Sequence, residues 1–593
     1  TFSEKLNAVV APLFHPRFQR DDEGISDTRD GPGSRSDLVL DSRGWTSSVV
    51  GAVSSWIQLD SQCQRVRLSS EKAFKQEIAW ATHLSVPSVV LPTPARDCTN
   101  YARVLQQCAT QAQYLQFWVR VPLTAPGARR PSGASSPGGS DDGMECSPWT
   151  NWNALRTMCE FHPKVSVALE ITADLPAPEE LARWLGEPVR AVLVPTDIFL
   201  TNRKGYPTLS QRHQRFFLEL FRFPGIQFYL KGRPRHHGRL LPYVQYLHYL
   251  FSKRPAMDAK ALFEAPYLDY LQAPLQPLMD NLESQTYETF EQDNFKYDQY
   301  EKAITRALLA TPEEKESVVM VVGAGRGPLV RCALRASATA QRHTRLYAVE
   351  KNPNAVITLR NLKISEKWDN VTVIASDMRH WHAVEKADIM VSELLGSFSD
   401  NELSPECLDG AQAFLKEGGV SIPCKYTSYV APIMSSKLWN DVKALDGLKH
   451  FETPYVVRLH NIYSIASPQA CFTFQHPKFG TRIDNRRQQD MVFQAEADAV
   501  VHGFAGYFDA VLYDDVTLSI HPETHSDGMF SWFPIYFPLR QPVGVEQGNS
   551  MRVSFWRMVG GSKVWYEWTM SVGGGLTRAP VHNPNGRSYW IGL

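Results

Sequence analysis

The sequence has no Cys-x-x-Cys pair among its nine cysteines, and nine is an odd number. Both a disulfide framework and a structural zinc site are disfavoured, and a reducing home, cytoplasmic and nuclear, is expected. Neither charge is in surplus: 62 basic residues stand against 62 acidic ones. No global field then argues for nucleic acid or an anionic membrane, and a basic partner must be recognised locally. No run of about 18 apolar residues is present. The first residues, Thr1-Phe-Ser-Glu-Lys, do not read as a signal peptide, although a chain that begins at Thr is open at that end. The dinucleotide spacing Gly-x-Gly-x-x-Gly is also missing.

What is present is a stretch, 318–328, that reads Val-Val-Met-Val-Val-Gly-Ala-Gly-Arg-Gly-Pro. Five uninterrupted apolar residues suit a parallel strand buried on both faces, and Gly323, Gly325 and Gly327 let the backbone turn sharply beside a ligand before a helix begins. Three more apolar runs follow, and each ends on polar residues: Glu350 after 346–349, Ser376-Asp377-Met378 after 371–374, and Ser392-Glu393 after 387–391. Successive β-units of this kind place those residues along the ligand-binding edge of one open sheet. Any one acid alone reads more simply as a helix N-cap. A ring of acids suits a cationic nucleoside such as S-adenosylmethionine better than the pyrophosphate of a nicotinamide cofactor.

The segment 392–402 reads Ser-Glu-Leu-Leu-Gly-Ser-Phe-Ser-Asp-Asn-Glu. Glu393 and Glu402, nine positions apart around a small-residue turn, can form a hairpin-shaped clamp with both carboxylates on one guanidinium. Here the sequence resembles the protein arginine methyltransferases, whose double-E loop has this form. The longer run Glu-Leu-Leu-Gly-Ser-Phe-Ser-Asp-Asn-Glu-Leu-Ser-Pro-Glu-Cys-Leu-Asp-Gly over 393–410 resembles the type II, symmetric-dimethylating members. Ala-Val-Glu-Lys-Asn-Pro-Asn at 348–354 and Gly-Phe-Ala-Gly-Tyr-Phe at 503–508 match too. The resemblance covers nearly the whole chain and is strongest from about Leu275 onward.

The resemblance implies S-adenosylmethionine as cofactor, contacted by Tyr287, Lys296, Tyr297, Gly323, Gly325, Gly327, Glu350, Asp377 and Met378. It implies Glu393 and Glu402 as the catalytic pair, Phe290 as the aromatic linked to symmetric product, and Trp532 of Phe-Ser-Trp-Phe 530–533 over the substrate arginine. On their own, Tyr287, Phe290, Lys296 and Tyr297 read as helix packing, and Trp532 as core. Cys424 stands where the family pattern has glycine.

Length suggests about four domains, reduced to three because barrels run large. Residues 1–252 alternate strands (8–13, 88–92, 115–122, 165–171, 191–195, 226–230) with helices (71–83, 101–112, 178–185, 209–222). That pattern suggests a (β/α) TIM-type barrel, with a doubly wound sheet as competitor because fewer than eight strands are clear; the family's N-terminal barrel decides. The Pro/Gly/Ser-rich insertion 124–148 reads as a surface loop. His236-His237, in Arg-Pro-Arg-His-His-Gly, reads as a solvated basic loop rather than a metal site, and no metal is expected.

Residues 253–285, Pro-rich and aromatic, read as an ordered linker. Residues 286–423 are expected to form a Rossmann-like domain, which the resemblance implies is the methyltransferase domain. Residues 424–593 are β-rich, with strands expected at 426–433, 455–465, 470–475, 491–497, 511–520, 531–537 and 551–556, making an all-β barrel or sandwich; the resemblance implies a β-barrel for substrate binding and dimerisation. By resemblance the barrel half holds a WD-repeat propeller protein, the chain forms homo-oligomers, and substrates are Gly-Arg-rich segments, histone tails and splicing proteins. A nicotinamide-dependent dehydrogenase and a catalytically inactive scaffold are the competing readings.

Overall fold

The computed structural model describes residues 7–14, 34–125, 147–236, 238–312, 315–478 and 483–593. The 124–148 insertion lies outside them except at its ends, and its last residue, Pro148, opens the helix Pro148–Met158, capped by Ser147 Oγ. The chain forms two compact units, Thr1–Ala256 and Met257–Leu593.

In the first unit seven strands, β1 (Val9–Pro12), β2 (Val49–Ala52), β3 (Ser88–Leu91), β4 (Gln116–Pro122), β5 (Val165–Glu170), β6 (Val189–Pro195) and β7 (Gln227–Lys231), pair in parallel in the order in which they occur. A doubly wound sheet reverses its strand order at a switch point; this one never does, which is barrel winding. β3 and β5 are buried at every position, as runs such as Ser-Val-Val-Leu require when helices cover one face and the interior the other. Val10, Val50, Val90, Trp118, Ala168, Leu193 and Tyr229 come from the seven strands and share one interior cluster, so the first and last strands face the same core.

β2 escaped the sequence reading because Gly51 interrupts its apolar run. A Cβ on Gly51 would sit 2.9 Å from Leu13 Cδ2 and 3.0 Å from Val89 Cγ1, so the glycine is there for close packing. The basic-loop reading of His236 is corrected. The ring is buried, with Nδ1 2.7 Å from the Tyr243 hydroxyl and Nε2 2.9 Å from Thr201 Oγ1. His237 lies outside the described residues.

In the second unit the 257–280 strap is pinned to the β-rich region. Asp269 N donates to Arg458 O at 2.9 Å, and the Asp269 carboxylate accepts from His460 N and Asn461 N, each at 2.9 Å. Helices α1 (Ser284–Glu291) and α2 (Asn294–Leu309) then lead into a five-stranded parallel sheet: β8 (Ser317–Val322), β9 (Thr344–Glu350), β10 (Val371–Ala375), β11 (Ala387–Ser392) and β12 (Leu415–Ile422). Its spatial order is β10-β9-β8-β11-β12. β9 leaves one side of β8 and β11 pairs on the other, so the order reverses at the glycine-rich turn. The crevice outside the carboxyl ends of these strands is where open α/β sheets take ligands.

Residues 425–593 form two antiparallel sheets. Lys425–Met434, Ala499–Tyr513 and Ile535–Val545 build one; Ser550–Gly560 and Lys563–Val572 anchor the other. Their inner faces meet around Phe504, Phe537, Phe555, Tyr566 and Trp568, an all-β core of two facing sheets. Three strand expectations are corrected. Residues 455–465 hold two short bridging pairs, Tyr455–Val456 and Tyr463–Ser464, and not one strand. Residues 511–520 straddle a hairpin turn at Asp514, whose φ is 53°. Residues 531–534 are loop, and the strand begins at Ile535. A helix, Ser436–Ala444, also stands where little helix was expected. Composition marks β-rich sequence without marking where strands turn.

Candidate active site

Past β8 the backbone runs through Gly323 (φ 74°), Gly325 (φ 53°) and Gly327 (φ 97°), all in the left-handed region that glycine enters without strain. Space imposes the same choice: a Cβ on Gly325 would lie 3.1 Å from Tyr287 Cε1, and one on Gly323 2.9 Å from Leu394 Cδ2. Glu350, at the end of β9, is buried, and its two oxygens accept from Gly325 N and Asn352 N, each at 2.7 Å. Burial raises its pKa, and the backbone N–H groups only partly oppose this. Burial also pulls on Asp377, but Arg379, bound through Nε and Nη2 at 3.1 and 2.8 Å, takes that carboxyl below its usual range. The Tyr287 hydroxyl accepts from Asn352 Nδ2 at 3.2 Å.

These side chains, with Tyr297, Met378 and Cys407, line one cavity whose wall includes Glu393 and Glu402. The guanidinium in the lining, Arg326, is taken up by Glu291 at 2.9 and 2.8 Å and by Ser284. The donor set is acidic and its cations are engaged. It fits a ribose and a sulfonium, and it does not fit a pyrophosphate.

The clamp turns as its sequence implies. Gly396 N donates to Ser399 O at 3.1 Å and Ser399 N to Gly396 O at 2.9 Å. Asn401 Oδ1 accepts from Phe398 N at 2.6 Å and occupies the space a Gly396 side chain would need. Ser399 (φ 60°) and Leu403 (φ 68°) hold left-handed conformations without being glycine, a strain of about 1–3 kcal/mol each close to Glu402.

The β-rich domain holds that strain in place. Phe398 is fully buried in its aromatic core, 5.2 Å from Phe537 and 5.6 Å from Tyr566. Asp400 accepts from Arg557 Nε at 2.5 Å and from the Tyr566 hydroxyl at 2.6 Å, while Arg557 also grips Glu406 through two bonds of 2.8 Å. The glycine in Gly503-Phe-Ala-Gly-Tyr is part of this seat: a Cβ on Gly506 would lie 2.7 Å from Phe398 Cδ2.

A second cavity shares Phe290, Glu393 and Glu402 with the first and adds Lys296, Asn401 and Trp532. Trp532 Nε1 donates to Leu395 O at 2.8 Å, and its ring stands edge-on to Phe508 at 5.2 Å. Burial first, and then the Glu393 charge, push the Glu402 pKa well above its ordinary value, with Lys296 opposing. Lys296, expected among the cofactor residues, lines this second cavity and not the first, its Nζ 3.6 Å from Glu393 Oε2. The sequence reading missed Asp293. Fully buried, it caps α2 by accepting from Lys296 N at 3.2 Å and holds the 530–533 loop through Phe530 N, Ser531 N and Ser531 Oγ at 3.0, 2.9 and 2.7 Å. An aspartate just ahead of a helical run was a legible N-cap signal; its grip on a loop more than 230 positions away was not.

Three family models match almost end to end: PRMT5 TIM barrel domain over 5–253, PRMT5 arginine-N-methyltransferase over 258–422, and PRMT5 oligomerisation domain over 425–591. The chain belongs to the PRMT5 family of protein arginine N-methyltransferases. It is 49% identical to protein arginine N-methyltransferase 5 of Xenopus laevis, over 100% of this chain and 95% of that one. Against the Oryza sativa subsp. japonica protein of the same name it is 47% identical, with the same coverage. Protein arginine N-methyltransferase skb1 of Schizosaccharomyces pombe is 37% identical over 91% of this chain and 88% of its own length. As a member of the PRMT5 family the chain is a type II, S-adenosylmethionine-dependent arginine methyltransferase with a C-terminal oligomerisation domain. The dehydrogenase and inactive-scaffold readings are set aside.

Proposed function

We propose that Glu393 and Glu402 grip the guanidinium of a substrate arginine, that Phe290 and Trp532 face its plane, and that the cavity of Tyr287, Tyr297, Gly325, Glu350, Asp377 and Met378 holds the methyl donor. One observation carries this reading: both clamp glutamates and Phe290 line both cavities, so the groups that meet an arginine also border the donor.

A guanidinium has a pKa above about 12 and stays protonated until it reacts. S-adenosylmethionine, when bound, supplies a methyl group on a positively charged sulfur. The work left to the chain is alignment and charge placement. Paired hydrogen bonds to Glu393 and Glu402 draw positive charge away from the attacking nitrogen and leave that nitrogen facing the donor cavity. Glu402, whose pKa burial and Glu393 raise, ionises more readily once a cation arrives, so arginine binding completes the charge state of the clamp. Symmetric product requires the monomethylated arginine to return with its unmodified terminal nitrogen toward the donor, and Phe290 is the wall that fixes the guanidinium plane.

The substrates on this reading are Gly-Arg-rich segments, histone tails and splicing proteins. A WD-repeat propeller protein binds the N-terminal barrel, and dimers assemble further through the C-terminal domain. We also place the protein in the cytoplasm and nucleus, because cysteines without metal-type spacing suit a reducing compartment. Mass spectrometry of a Gly-Arg-rich peptide incubated with enzyme and S-adenosylmethionine tests the core of the reading. Symmetric dimethylarginine is expected from the wild type and no methylation from Glu393→Gln; unchanged turnover in that variant would remove the clamp.

A further inference from the structure

Lys296 is fully buried and its Nζ has no hydrogen-bond partner among the described residues. A buried ammonium without hydrogen bonds is costly unless other charges or aromatic faces hold it. Here both do. Nζ lies 3.6 Å from Glu393 Oε2, 5.3 Å from the Phe290 ring centre, 5.0 Å from Trp532 and 4.8 Å from Tyr297. Glu393, Phe290 and Trp532 are the groups assigned above to the substrate guanidinium. One cation already sits where another must bind, and two cations cannot share that space.

We propose that the Lys296 ammonium is an internal stand-in for the substrate arginine, and that arginine enters only after the carboxylate of the methyl donor draws this ammonium away, so that Lys296 couples donor binding to arginine binding. The proposal rests on the clamp reading. The lysine can move as a side chain alone, because its backbone N is fixed to Asp293 Oδ1 at 3.2 Å. The donor's amino-acid tail needs a cation, and the two basic residues lining the donor cavity are already engaged. Arg326 is held by Glu291 at 2.9 and 2.8 Å, and Lys351 Nζ donates to Asp280 O at 3.3 Å. Glu393 and Phe290 border both cavities, so the path from one to the other lies within the reach of one lysine. Removal of the ammonium would serve donor and acceptor at once: it fills the need of the donor's carboxylate and frees both glutamates and the aromatic faces.

Calorimetry with an unmodified Gly-Arg-rich peptide tests this without turnover. The wild type should bind the peptide on the order of ten-fold or more tighter with saturating S-adenosylhomocysteine than without it. 5′-Methylthioadenosine, which lacks the amino-acid carboxylate, should give no such gain. Lys296→Met should bind the peptide without nucleoside about as tightly as the wild type does with S-adenosylhomocysteine, while binding S-adenosylhomocysteine more weakly. The same coupling in Lys296→Met as in the wild type would overturn the proposal. Equal gains from the two nucleosides in the wild type would overturn it too, and that comparison needs no folded variant. Glu402→Gln separates the layers: if it leaves peptide affinity with S-adenosylhomocysteine unchanged, the clamp reading itself fails and the stand-in falls with it.

Discussion

Two recessed glutamates, one in each unit, are treated in opposite ways. Glu170, at the end of β5, is 8% exposed; Arg120 Nε bonds one of its oxygens and Lys231 Nζ the other, at 2.7 Å. Burial raises its pKa, but the two cations more than offset that and hold it below the ordinary carboxyl value. Glu402 is half-buried; desolvation and the like charge of Glu393 act on it, no cation is hydrogen-bonded to it among the described residues, and its pKa rises. The barrel's carboxylate is satisfied by its own chain and has nothing left to offer a ligand. The clamp's carboxylate is left in electrostatic need, the condition in which a site recognises a cation. The difference leaves the unmet electrostatic demand in the second unit.

Turnover is where the contrast should break most sharply. Glu402→Gln should lose at least about a hundred-fold in methylation, ~3 kcal/mol, with S-adenosylmethionine affinity within a few-fold. Glu170→Gln should leave turnover alone and cost at most about 1 kcal/mol of stability, since its partners are substantially exposed. Peptide assays with donor calorimetry decide it, and equal loss in both variants would erase the distinction.

Next in size is the seat of the clamp. A Cβ on Gly506 would stand 2.5 Å from Ile535 Cγ2 and 2.7 Å from Phe398 Cδ2. Gly506→Ala should therefore cost about 1–3 kcal/mol in denaturant unfolding and lower turnover, although residue 506 is not placed in contact with substrate. Phe290→Met keeps an apolar group of similar size, so stability should change by less than about 1.5 kcal/mol, but asymmetric dimethylarginine should appear among the products. An active variant giving only symmetric product would take Phe290 out of the specificity role.

The smallest effect sharpens the electrostatics. Because the folded pKa of Glu402 stands above the ordinary 4.5, the folded chain keeps a proton that the unfolded chain releases as pH passes that value. Stability from this group is therefore lost as pH rises from about 4.5 through the raised pKa. Glu402→Gln without ligands should melt higher than the wild type at neutral pH, and the two should converge below about pH 4. A variant that melts lower at neutral pH would mean that Glu402 is satisfied after all.

The glycine turn, the acids at the strand ends and the clamp were legible because each is local: a few adjacent residues carry the backbone freedom and the charge. β2 was not, since Gly51 breaks its apolar run and only the fold shows that the glycine makes room for Leu13. The 530–533 stretch, Phe-Ser-Trp-Phe, has the aromatic composition of a strand. What makes it a loop over the site is Asp293, far off in the chain, binding two of its amides. The sequence marked Lys296 as a site residue yet not which cavity it lines, because that depends on three aromatic rings brought together by the fold.

The seating of Phe398 among Phe537, Phe555 and Tyr566 makes the clamp joint property. Its first glutamate follows a strand of the parallel sheet, while the tip of its turn is rooted in the neighbouring β-rich fold. A fragment ending at 423 would retain both glutamates, the glycine turn and the donor crevice, and would still lose the aromatic socket, Arg557 and Tyr566. The left-handed residues near Glu402 would then have no cause to stay strained, and the two carboxylates would drift apart. The two domains cannot be traded piecemeal with those of other enzymes, because the loop that carries Glu393 and Glu402 is built half in one and half in the other.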